Sequence, residues 1–453
     1  MTLSPLAPDV KLTPYWLDGV APPTLPPTDL RKETDVVVIG SGYTGLHAAL
    51  QTARAGRATL VVDAKEVGWG CSTRNGGQIS TSVKPSYAEL TRRHGPELAA
   101  RIIKDGQRSL SWIGEFIASE GIDCDFPVVG RFHAAHSPGH FEALARQITS
   151  QPKGLEVPME LVSRAEQRAE VGTDAYYGGV VLPRHAALDP ARYHRGLLER
   201  TIAAGVEVIP NCVVTAIERD GKGFRLTTER GTCRAQDVVV ATNGYTGKLT
   251  PWLRRRVIPI GSYMIATEPL PRGMIERLIP KDRIVSDTRK VVYYYRASPD
   301  RRRILFGGRV SHRETDPRVS GPRLHADIAS LFPELASIRV SHSWMGFVAY
   351  TFDELAHIGQ HEGLHYAMGY CGSGVGMASY LGMRLGQQVL GLSENETGFH
   401  RASFQTRPLY TGSPWFLAAS VLYYRWQDGR SAPNHLRVRS TDSRASAVTP
   451  PSP

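Results

Sequence analysis

The sequence predicts an α/β protein in which a three-layer domain, discontinuous along the chain, carries a second, α+β domain built on a mixed sheet. Three observations predict this fold class. Residues 35–63 read as strand, glycine turn, helix and strand, and strand–helix patterns return at 189–244 and 364–391. Residues 257–310 read as strands, the last two separated by a charged turn. Because there is no internal repeat, the separate α/β pieces are interpreted as one interrupted domain.

Length and composition favour a folded protein of two or three domains. The 453 residues are 41% hydrophobic and 21% charged, which is ordinary for globular chains. The formal net charge is +11, but the basic residues form short scattered groups, such as those at 254–256 and 301–303, without interleaved aromatic residues. This pattern disfavours nucleic-acid binding and favours a basic surface or a funnel for an anionic substrate or cofactor.

The cysteines and histidines exclude several site types. No two cysteines have CxxC spacing, which argues against a zinc site and a redox-active dithiol, and no histidines have ligand spacing, so no metal is expected. An odd cysteine count without a framework fits a reducing compartment, and the N-terminus lacks a signal-peptide pattern. The apolar run at 415–424 is too short to span a bilayer. We therefore expect a cytoplasmic protein. The five cysteines are Cys71, Cys124, Cys212, Cys233 and Cys371.

The strongest motif is a glycine turn between the first strand and the first helix. GSGYTG at 40–45 follows the apolar run DVVVI and opens a helix, and an aspartate ends the next strand. A Rossmann-like dinucleotide site requires this context. The glycines allow a tight turn and the approach of a pyrophosphate to the helix N-terminus, and the aspartate accepts a hydrogen bond from a ribose hydroxyl. The residues predicted to bind are Gly40, Gly42, Tyr43, Thr44, Gly45 and Asp63.

Two further glycine clusters favour FAD over NAD. GWGCSTRNGGQ at 68–78 follows the second strand, and so many glycines indicate close approach of the backbone to another group. GYCGSGVG at 369–376 opens a late helix, whose dipole would stabilise negative charge at the N1–C2=O edge of a reduced flavin. The alternative for this second cluster is close helix packing through glycines.

Together these motifs resemble FAD-dependent oxidoreductases of the D-amino-acid oxidase and glycine oxidase superfamily. The resemblance rests on DVVVIGSGYTGLHAAL with VVDA, the STRNGG loop, VVVATNGYTG and GYCGSGVGMASYLG, in that order. Within the superfamily, GWGCSTRNGGQ, WMGFVAYTFDELAHIG and PWFLAASVLYYRWQDG are most similar to the γ-glutamylputrescine oxidase-like branch. The resemblance covers about residues 30–430. It implies an FAD-binding domain and a substrate domain whose long strands lie over the flavin face.

The resemblance also implies roles for particular residues. A loop passing along the pyrophosphate and flavin ring matches Ser72, Arg74, Asn75, Gly76 and Gly77. The backbone contact to adenine matches Val214, and the loop beside the pyrimidine edge matches Gly369, Gly372, Ser373 and Gly374. Arg74 is expected to clamp the pyrophosphate or a substrate carboxylate. Tyr293 and Arg309 fall on strands that supply active-site side chains.

The sequence does not decide which face of the predicted strand VVYYYR lines the substrate pocket. Tyr293 and Tyr295 share one face of VVYYYR, and Tyr294 and Arg296 share the other. One pair is expected to line the pocket, where aromatic rings suit an amine-bearing substrate. Arg309 is expected either to bind a substrate carboxylate through two parallel hydrogen bonds or to form a surface salt bridge.

Two departures from the sarcosine oxidase branch affect the cofactor and the acceptor. WMGFVAYTFD contains no cysteine for flavin attachment, and RILFGGR contains no lysine of the kind that promotes reaction with oxygen. We therefore expect FAD to be bound non-covalently. Cys71 is interpreted as a small residue in a tight space rather than an attachment point, and packing is also favoured for Cys371 over a thiolate at a helix start.

These motifs predict the domain organisation and the activity. The FAD-binding domain is assigned to 34–95, 160–250 and 345–395 and the substrate domain to 96–159 and 251–344. A proline-rich strap occupies 1–33, a helical segment 396–429 and a disordered tail 430–453. The expected reaction is oxidation of a C–N bond in an amine or amino acid by hydride transfer to flavin N5, imine hydrolysis and reduction of O2 to H2O2. The alternatives are a dehydrogenase that passes electrons to a quinone or carrier protein, and a non-catalytic FAD-binding subunit.

Overall fold

The computed structural model describes residues 4–26, 28–81, 83–308 and 315–431, and it confirms the predicted α/β fold class. The helices are α1 (Tyr43–Arg54), α2 (Tyr87–His94), α3 (Pro96–Ser119), α4 (Pro138–Thr149), α5 (Pro190–Ala203), α6 (Pro251–Arg254), α7 (Met274–Leu278), α8 (Pro317–Leu331), α9 (Gly374–Val389) and α10 (Leu417–Ser431). The strands are β1 (Leu6–Lys11), β2 (Glu33–Ile39), β3 (Thr59–Val62), β4 (Gln78–Ile79), β5 (Arg131–Ala134), β6 (Glu160–Val162), β7 (Gly179–Leu182), β8 (Ala186–Ala187), β9 (Glu207–Ile209), β10 (Val214–Asp220), β11 (Gly223–Thr228), β12 (Gly231–Val240), β13 (Ile258–Thr267), β14 (Ile284–Asp287), β15 (Tyr294–Ala297), β16 (Ile304–Gly308), β17 (Val340–Tyr350), β18 (His357–His361) and β19 (Leu364–Met368).

An eight-stranded sheet forms the middle of a three-layer domain. Its strands run in the order β10–β11–β12–β2–β3–β9, with β19 beside β12 and β18 beside β19. On β2, Val36 and Val38 contribute to a core shared with α1, α3, α5 and α9. Val37 and Ile39 contribute to a second core that includes Phe224 of β11. Because side chains alternate along a strand, Val36 and Val38 face the helices, whereas Val37 and Ile39 face the core on the other side of β2.

The helices α1 and α9 pack closely because α9 carries glycines at their contact. A Cβ atom at Gly382 would lie 2.6 Å from the carbonyl oxygen of Thr44, and one at Gly386 would lie 2.8 Å from that of Ala48. The hydroxyls of Thr44 and Tyr370 also share a hydrogen bond of 2.5 Å. This packing brings the beginnings of the two glycine-rich helices together.

The second sheet is mixed and has nine strands, in the order β1–β17–β13–β16–β15–β14–β5–β7–β6. The antiparallel pair β13–β17 is its longest ladder, whereas β1 runs parallel to β17 and β5 parallel to β14. Leu324 and Ile328 of α8 pack with Tyr263 and Phe306 in the core beneath this sheet. The mixed sheet predicted for the substrate domain is therefore present.

The sheet pairings divide the chain at different points from the predicted domain boundaries. The segment predicted at 160–250 contains β6 and β7, yet both strands pair in the nine-stranded sheet. The predicted boundary at 345 falls inside β17, and α3, which begins the predicted segment 96–159, packs through Ile113 in the core of the three-layer domain. Which sheet a short strand joins depends on pairing between distant segments, and neither periodicity nor composition reports it.

The N-terminal segment is more ordered in its packing than a strap would suggest. Within the predicted strap at 1–33, β1 adds an edge strand to the nine-stranded sheet and Trp16 is buried. Within the predicted helical segment at 396–429, the long helix α10 begins only at Leu417. The predicted disordered tail lies outside the described residues from 432 onward.

Candidate functional site

The predicted glycine turn lies where β2 ends and α1 begins. Gly40 has φ +109°, a conformation that favours glycine, and a Cβ atom there would lie 2.9 Å from the carbonyl oxygen of Ala241. A Cβ atom at Gly45 would lie only 1.9 Å from the carbonyl oxygen of Gly40. The turn is therefore tight enough to require glycine at both positions.

The N-terminus of α1 carries no side-chain cap at Gly42, so its backbone N–H groups face the loop that follows β3. The N–H of Tyr43 donates to the hydroxyl of Ser72 over 3.0 Å, which places the predicted pyrophosphate loop directly against the helix start. The Tyr43 side chain turns inward, and its hydroxyl donates to the carbonyl oxygen of Pro190. An uncapped helix start with a hydroxyl beside it suits a phosphate, because the helix dipole and the unpaired N–H groups favour negative charge.

Asp63 lies beyond the end of β3, as the motif predicts. Its carboxylate accepts hydrogen bonds from the N–H and hydroxyl of Ser41, at 2.8 and 2.6 Å, and from the N–H of Lys65 at 2.9 Å. A carboxylate has lone pairs for a further donor, so the predicted bond from a ribose hydroxyl remains compatible with these contacts. Val214, the first residue of β10, lies near Asp63. The N–H of Cys212, two residues before Val214, donates to the carbonyl oxygen of Asp63.

His194 is a part of this end of the site that the sequence did not single out. It lies on α5, and its Nε2 donates to the carbonyl oxygen of Ser41 over 2.8 Å. Its ring fills the space beside Gly68, where a Cβ atom would lie 2.7 Å away. Burial lowers the pKa of His194, so the ring is held neutral as a hydrogen-bond donor to the glycine turn. No spacing in the sequence signals this contact, because it depends on how α5 packs.

The loop at 68–77 is held by its own asparagine and by a distant tryptophan. The side-chain amide of Asn75 donates to the carbonyl oxygens of Cys71 and Ser72, at 3.1 and 2.9 Å, and its Oδ1 accepts from the N–H of Gly77. The indole of Trp16 donates to the carbonyl oxygen of Asn75 over 2.8 Å. Asn75 therefore shapes the loop from within, and its predicted cofactor contact stays a prediction.

Arg74 lies against the second domain rather than at the start of α1. Its Nε donates to the carbonyl oxygen of Trp69 over 2.6 Å, and a terminal nitrogen donates to the carbonyl oxygen of Met345 on β17 over 3.3 Å. The guanidinium also stands 4.9 Å from the centre of the Trp69 ring. The two predicted roles of Arg74, as a clamp for the pyrophosphate or for a substrate carboxylate, stay predictions.

Of the two adjacent tyrosines at the start of β15, Tyr294 rather than Tyr293 contacts the loop. A Cβ atom at Gly76 would lie 2.9 Å from the Tyr294 ring, and the Tyr294 hydroxyl shares a 2.8 Å hydrogen bond with Ser262 on β13. The Tyr293 ring instead lies 5.3 Å from Phe306 and 4.9 Å from the Arg289 guanidinium. The face shared by Tyr294 and Arg296 is thus the one turned towards the loop, and the catalytic role predicted for Tyr293 stays a prediction.

Arg296 joins the same face of β15 to the end of the loop. It is 6% exposed, and one of its terminal nitrogens donates to the carbonyl oxygens of Gly77 and Leu188, at 3.2 and 2.9 Å. A buried guanidinium is costly unless its hydrogen bonds are made, so these contacts fix the loop relative to the sheet. The other arginine predicted for this site, Arg309, lies outside the described residues.

The second glycine cluster has the open helix start that was predicted. Gly369 and Gly372 have positive φ, and the N–H of Gly369 donates to Oδ1 of Asn243, which follows β12, over 3.0 Å. Ser373 gives α9 no side-chain cap, and a Cβ atom at Gly374 would meet nothing within 4 Å. The glycine at this helix start therefore borders open space, whereas the close packing through glycines occurs further along α9.

The two cysteines of these loops are thiols in tight surroundings. Burial raises the pKa of Cys71 to about 11 and that of Cys371 to about 11. The Cys371 sulfur lies 3.5 Å from the Thr351 hydroxyl and 3.2 Å from the Gly369 carbonyl oxygen. Both groups stay protonated at neutral pH, which agrees with packing rather than with reactivity.

Fold and site together are those of a dinucleotide-binding protein, because a glycine turn opens α1, a carboxylate follows β3, and a second glycine-rich segment opens α9. The chain belongs to the family of FAD dependent oxidoreductases, whose model matches residues 35–388. FAD is therefore its cofactor, and the predicted family and enzyme class are confirmed.

Similar proteins agree with this assignment. A γ-glutamylputrescine oxidoreductase of Escherichia coli (strain K12) is 29% identical over 399 residues, which cover 87% of this chain and 92% of that protein. A probable oxidoreductase of Rhizobium meliloti (strain 1021) is 29% identical over 394 residues, which cover 86% of this chain and 90% of the relative. The crystal structure of glycine oxidase from Geobacillus kaustophilus matches the fold with a TM-score of 0.69 at 20% identity, covering 83% of this chain and 99% of that one.

Among the described residues, no group of three or more histidine, cysteine, aspartate or glutamate side chains is placed to hold a metal ion. Within the same ranges, none of the helices has the length and apolar character needed to cross a bilayer.

Proposed function

We propose that the chain oxidises a C–N bond of an amine or amino acid, such as a γ-glutamylputrescine-like amine or a secondary amino acid, and uses dioxygen as the acceptor. The observation that carries the proposal is the contact between the cofactor loop and the mixed sheet, where the Tyr294 ring lies over Gly76. The similarity to γ-glutamylputrescine oxidoreductase over nearly its full length supports the substrate class.

The side chains around this contact are suited to an amine. Burial raises the pKa of Tyr294 and that of Tyr245, whose ring lies against Gly70 in the first half of the same loop, so both phenols are neutral at physiological pH. Their rings offer aromatic faces to an ammonium group, and the hydroxyls of Tyr294 and Ser262 can accept a hydrogen bond from an amine N–H. Loss of a proton from the ammonium exposes the nitrogen lone pair that the oxidation requires.

Positioning of the substrate is the other contribution of the chain. Bound FAD supplies the hydride acceptor, and water hydrolyses the imine product to a carbonyl compound and an amine or ammonia. Arg296 fixes Gly77, and Trp16 fixes Asn75, so the loop cannot move away from β15. A loop held this firmly keeps the donor carbon of the substrate aligned, which reduces the entropic part of the barrier.

The test is an anaerobic bleaching screen followed by admission of air. The purified holoenzyme is mixed with polyamines, γ-glutamyl amines, secondary amino acids and D-amino acids, and the flavin absorbance is followed. We expect bleaching by at least one of these classes, rapid recolouring in air and formation of peroxide. Bleaching with slow recolouring would contradict the oxidase and favour a dehydrogenase that passes electrons to a quinone or carrier protein. No bleaching by any class would favour a non-catalytic FAD-binding subunit.

A further inference from the structure

The helix α10 presents an unusually large apolar surface to solvent. Trp415, just before the helix, is 72% exposed, and Leu422, Tyr423 and Trp426 are each more than half exposed. Six of the twelve exposed large hydrophobic side chains in the described ranges fall between Leu409 and Trp426. A helix with apolar residues all round is normally buried, and contiguous exposed apolar patches mark interaction sites.

The helix is attached to the body of the protein at both ends, so its exposed side is not a consequence of loose packing. Near its N-terminal end, Phe416 lies 5.8 Å from the Tyr410 ring and 6.4 Å from the Phe352 ring. In its middle, Val421 is buried. Near its C-terminal end, the Asp428 carboxylate accepts hydrogen bonds from the N–H groups of residues 290 and 291, at 3.0 and 3.1 Å. The helix is thus held in place with large apolar side chains exposed.

Arginines flank this apolar surface. Arg254 donates to the Ser413 hydroxyl over 3.5 Å, the Arg256 guanidinium lies 3.6 Å from the Trp252 ring, and that of Arg407 lies 5.4 Å from the Phe352 ring. Within the described residues, no ion pair joins any of these three, or their neighbour Arg255, to a carboxylate. The region therefore carries uncompensated positive charge beside exposed aromatic rings.

The sequence before and after α10 is also poor in acidic residues. No acidic residue occurs between Glu396 and Asp428. The segment that follows α10, at 432–453, contains three arginines and a single aspartate. A partner for this surface must therefore combine an apolar layer with negative charge.

We propose that the α10 surface, formed by Leu409, Trp415, Leu422, Tyr423, Tyr424 and Trp426 with Arg254, Arg255, Arg256 and Arg407, docks on a lipid bilayer that contains anionic headgroups. Tryptophan and tyrosine place an apolar ring among acyl chains and a polar edge among headgroups, and arginine pairs with lipid phosphates. A second copy of this chain fits less well, because an isologous contact would place the same arginines opposite one another. The docked protein would lie on the membrane without crossing it.

The experiment is sedimentation of the holoenzyme with vesicles of phosphatidylcholine alone and of phosphatidylcholine with phosphatidylglycerol. We expect at least tenfold tighter binding to the anionic vesicles and weakening of that binding by added salt, since surface charges are screened. Trp415→Ser combined with Leu422→Ser should abolish binding, and Arg255→Glu combined with Arg407→Glu should reduce it at least tenfold. Flavin content verifies that each variant is folded.

The matched control is a substitution of an exposed apolar side chain outside the α10 surface. Val128 is 61% exposed on a different part of the surface, so Val128→Ser should bind vesicles as the unmodified protein does. Equal binding to neutral and anionic vesicles, no binding to either, or undiminished binding by the α10 variants would overturn the proposal. Conversion of a dimer to a monomer by Trp415→Ser, without any binding to vesicles, would assign the surface to a second copy and also overturn it.

Discussion

The loop at 68–77 is held in two different ways along its length. Its first half is held by neighbours in the sequence and by the adjoining helix, since Thr73 donates to the carbonyl oxygen of Gly68 and Ser72 accepts from the N–H of Tyr43. Its second half is held by side chains from far away, since Trp16 and Arg296 donate to its last carbonyl oxygens. Apart from the contacts of His194 beside Gly68 and of Tyr245 beside Gly70, the first half is held locally, whereas the half that contacts the mixed sheet is held by tertiary packing.

This difference separates two properties that can be measured independently. We expect the first half, with the glycine turn, to govern whether FAD is retained. We expect the second half to govern where the loop lies relative to Tyr294 and the mixed sheet, and therefore how well a bound substrate is aligned. Substitutions at the two halves should consequently affect cofactor content and turnover in different proportions.

The largest effect is expected from Gly45→Ala. Its Cβ atom would lie 1.9 Å from the carbonyl oxygen of Gly40, so the strand–helix turn must distort. We expect a loss of about 3 kcal/mol in the free energy of unfolding, at the upper end for overpacking, and a protein that loses FAD during gel filtration. The control is Gly139→Ala in α4, where a Cβ atom would meet nothing within 4 Å. Equal flavin content in the two variants would contradict the assigned role of the turn.

A smaller effect on stability, with a large one on turnover, is expected from Arg296→Met. The change leaves the carbonyl oxygens of Gly77 and Leu188 buried without this donor, at a cost of about 2 kcal/mol. Because the glycine turn is untouched, FAD should be retained while kcat falls. Urea unfolding and turnover measured on the same preparation check this, with the exposed Arg302→Met as the control. Loss of FAD in proportion to activity would remove the proposed distinction between the two halves.

The sequence predicted the glycine turn, because a strand–turn–helix–strand unit lies within about 30 residues and its glycines have local reasons. The cofactor contacts of the first half of the loop stay predictions. The second half could not be predicted in the same way. Periodicity showed that Tyr293 and Tyr294 lie on opposite faces of a strand, but the face turned to the loop depends on how β15 pairs with β14 and β16. His194 and Trp16 gave no signal, since each acts through one hydrogen bond to a distant carbonyl oxygen.

The pH dependence of stability should originate partly beside the glycine turn. His47 on α1 is fully buried against Trp112 and Phe116, and burial lowers its pKa to about 3. The folded pKa lies below the unfolded value near 6.5, so the stabilising contribution is complete above pH 6.5 and declines as the pH falls towards 3. Between pH 6.5 and 5 this amounts to about 2 kcal/mol. Urea unfolding of His47→Gln should show a flatter decline over that interval, and an unchanged slope would exclude His47 as a source.

The smallest effect is expected from Tyr294→Phe. Its comparison with Tyr293→Phe is the sharpest test of which face of β15 lies beside the substrate. Removing the Tyr294 hydroxyl takes away its hydrogen bond with Ser262 and the acceptor proposed for the amine, so kcat/KM should fall roughly tenfold, equivalent to about 1.4 kcal/mol. Flavin content should not change. Tyr293 packs against Phe306 and Arg289, so Tyr293→Phe should leave kcat/KM within about twofold, less than 0.5 kcal/mol. If Tyr293→Phe has the larger effect, the substrate binds on the opposite face of β15, and the strand face that contacts the loop serves only to hold it.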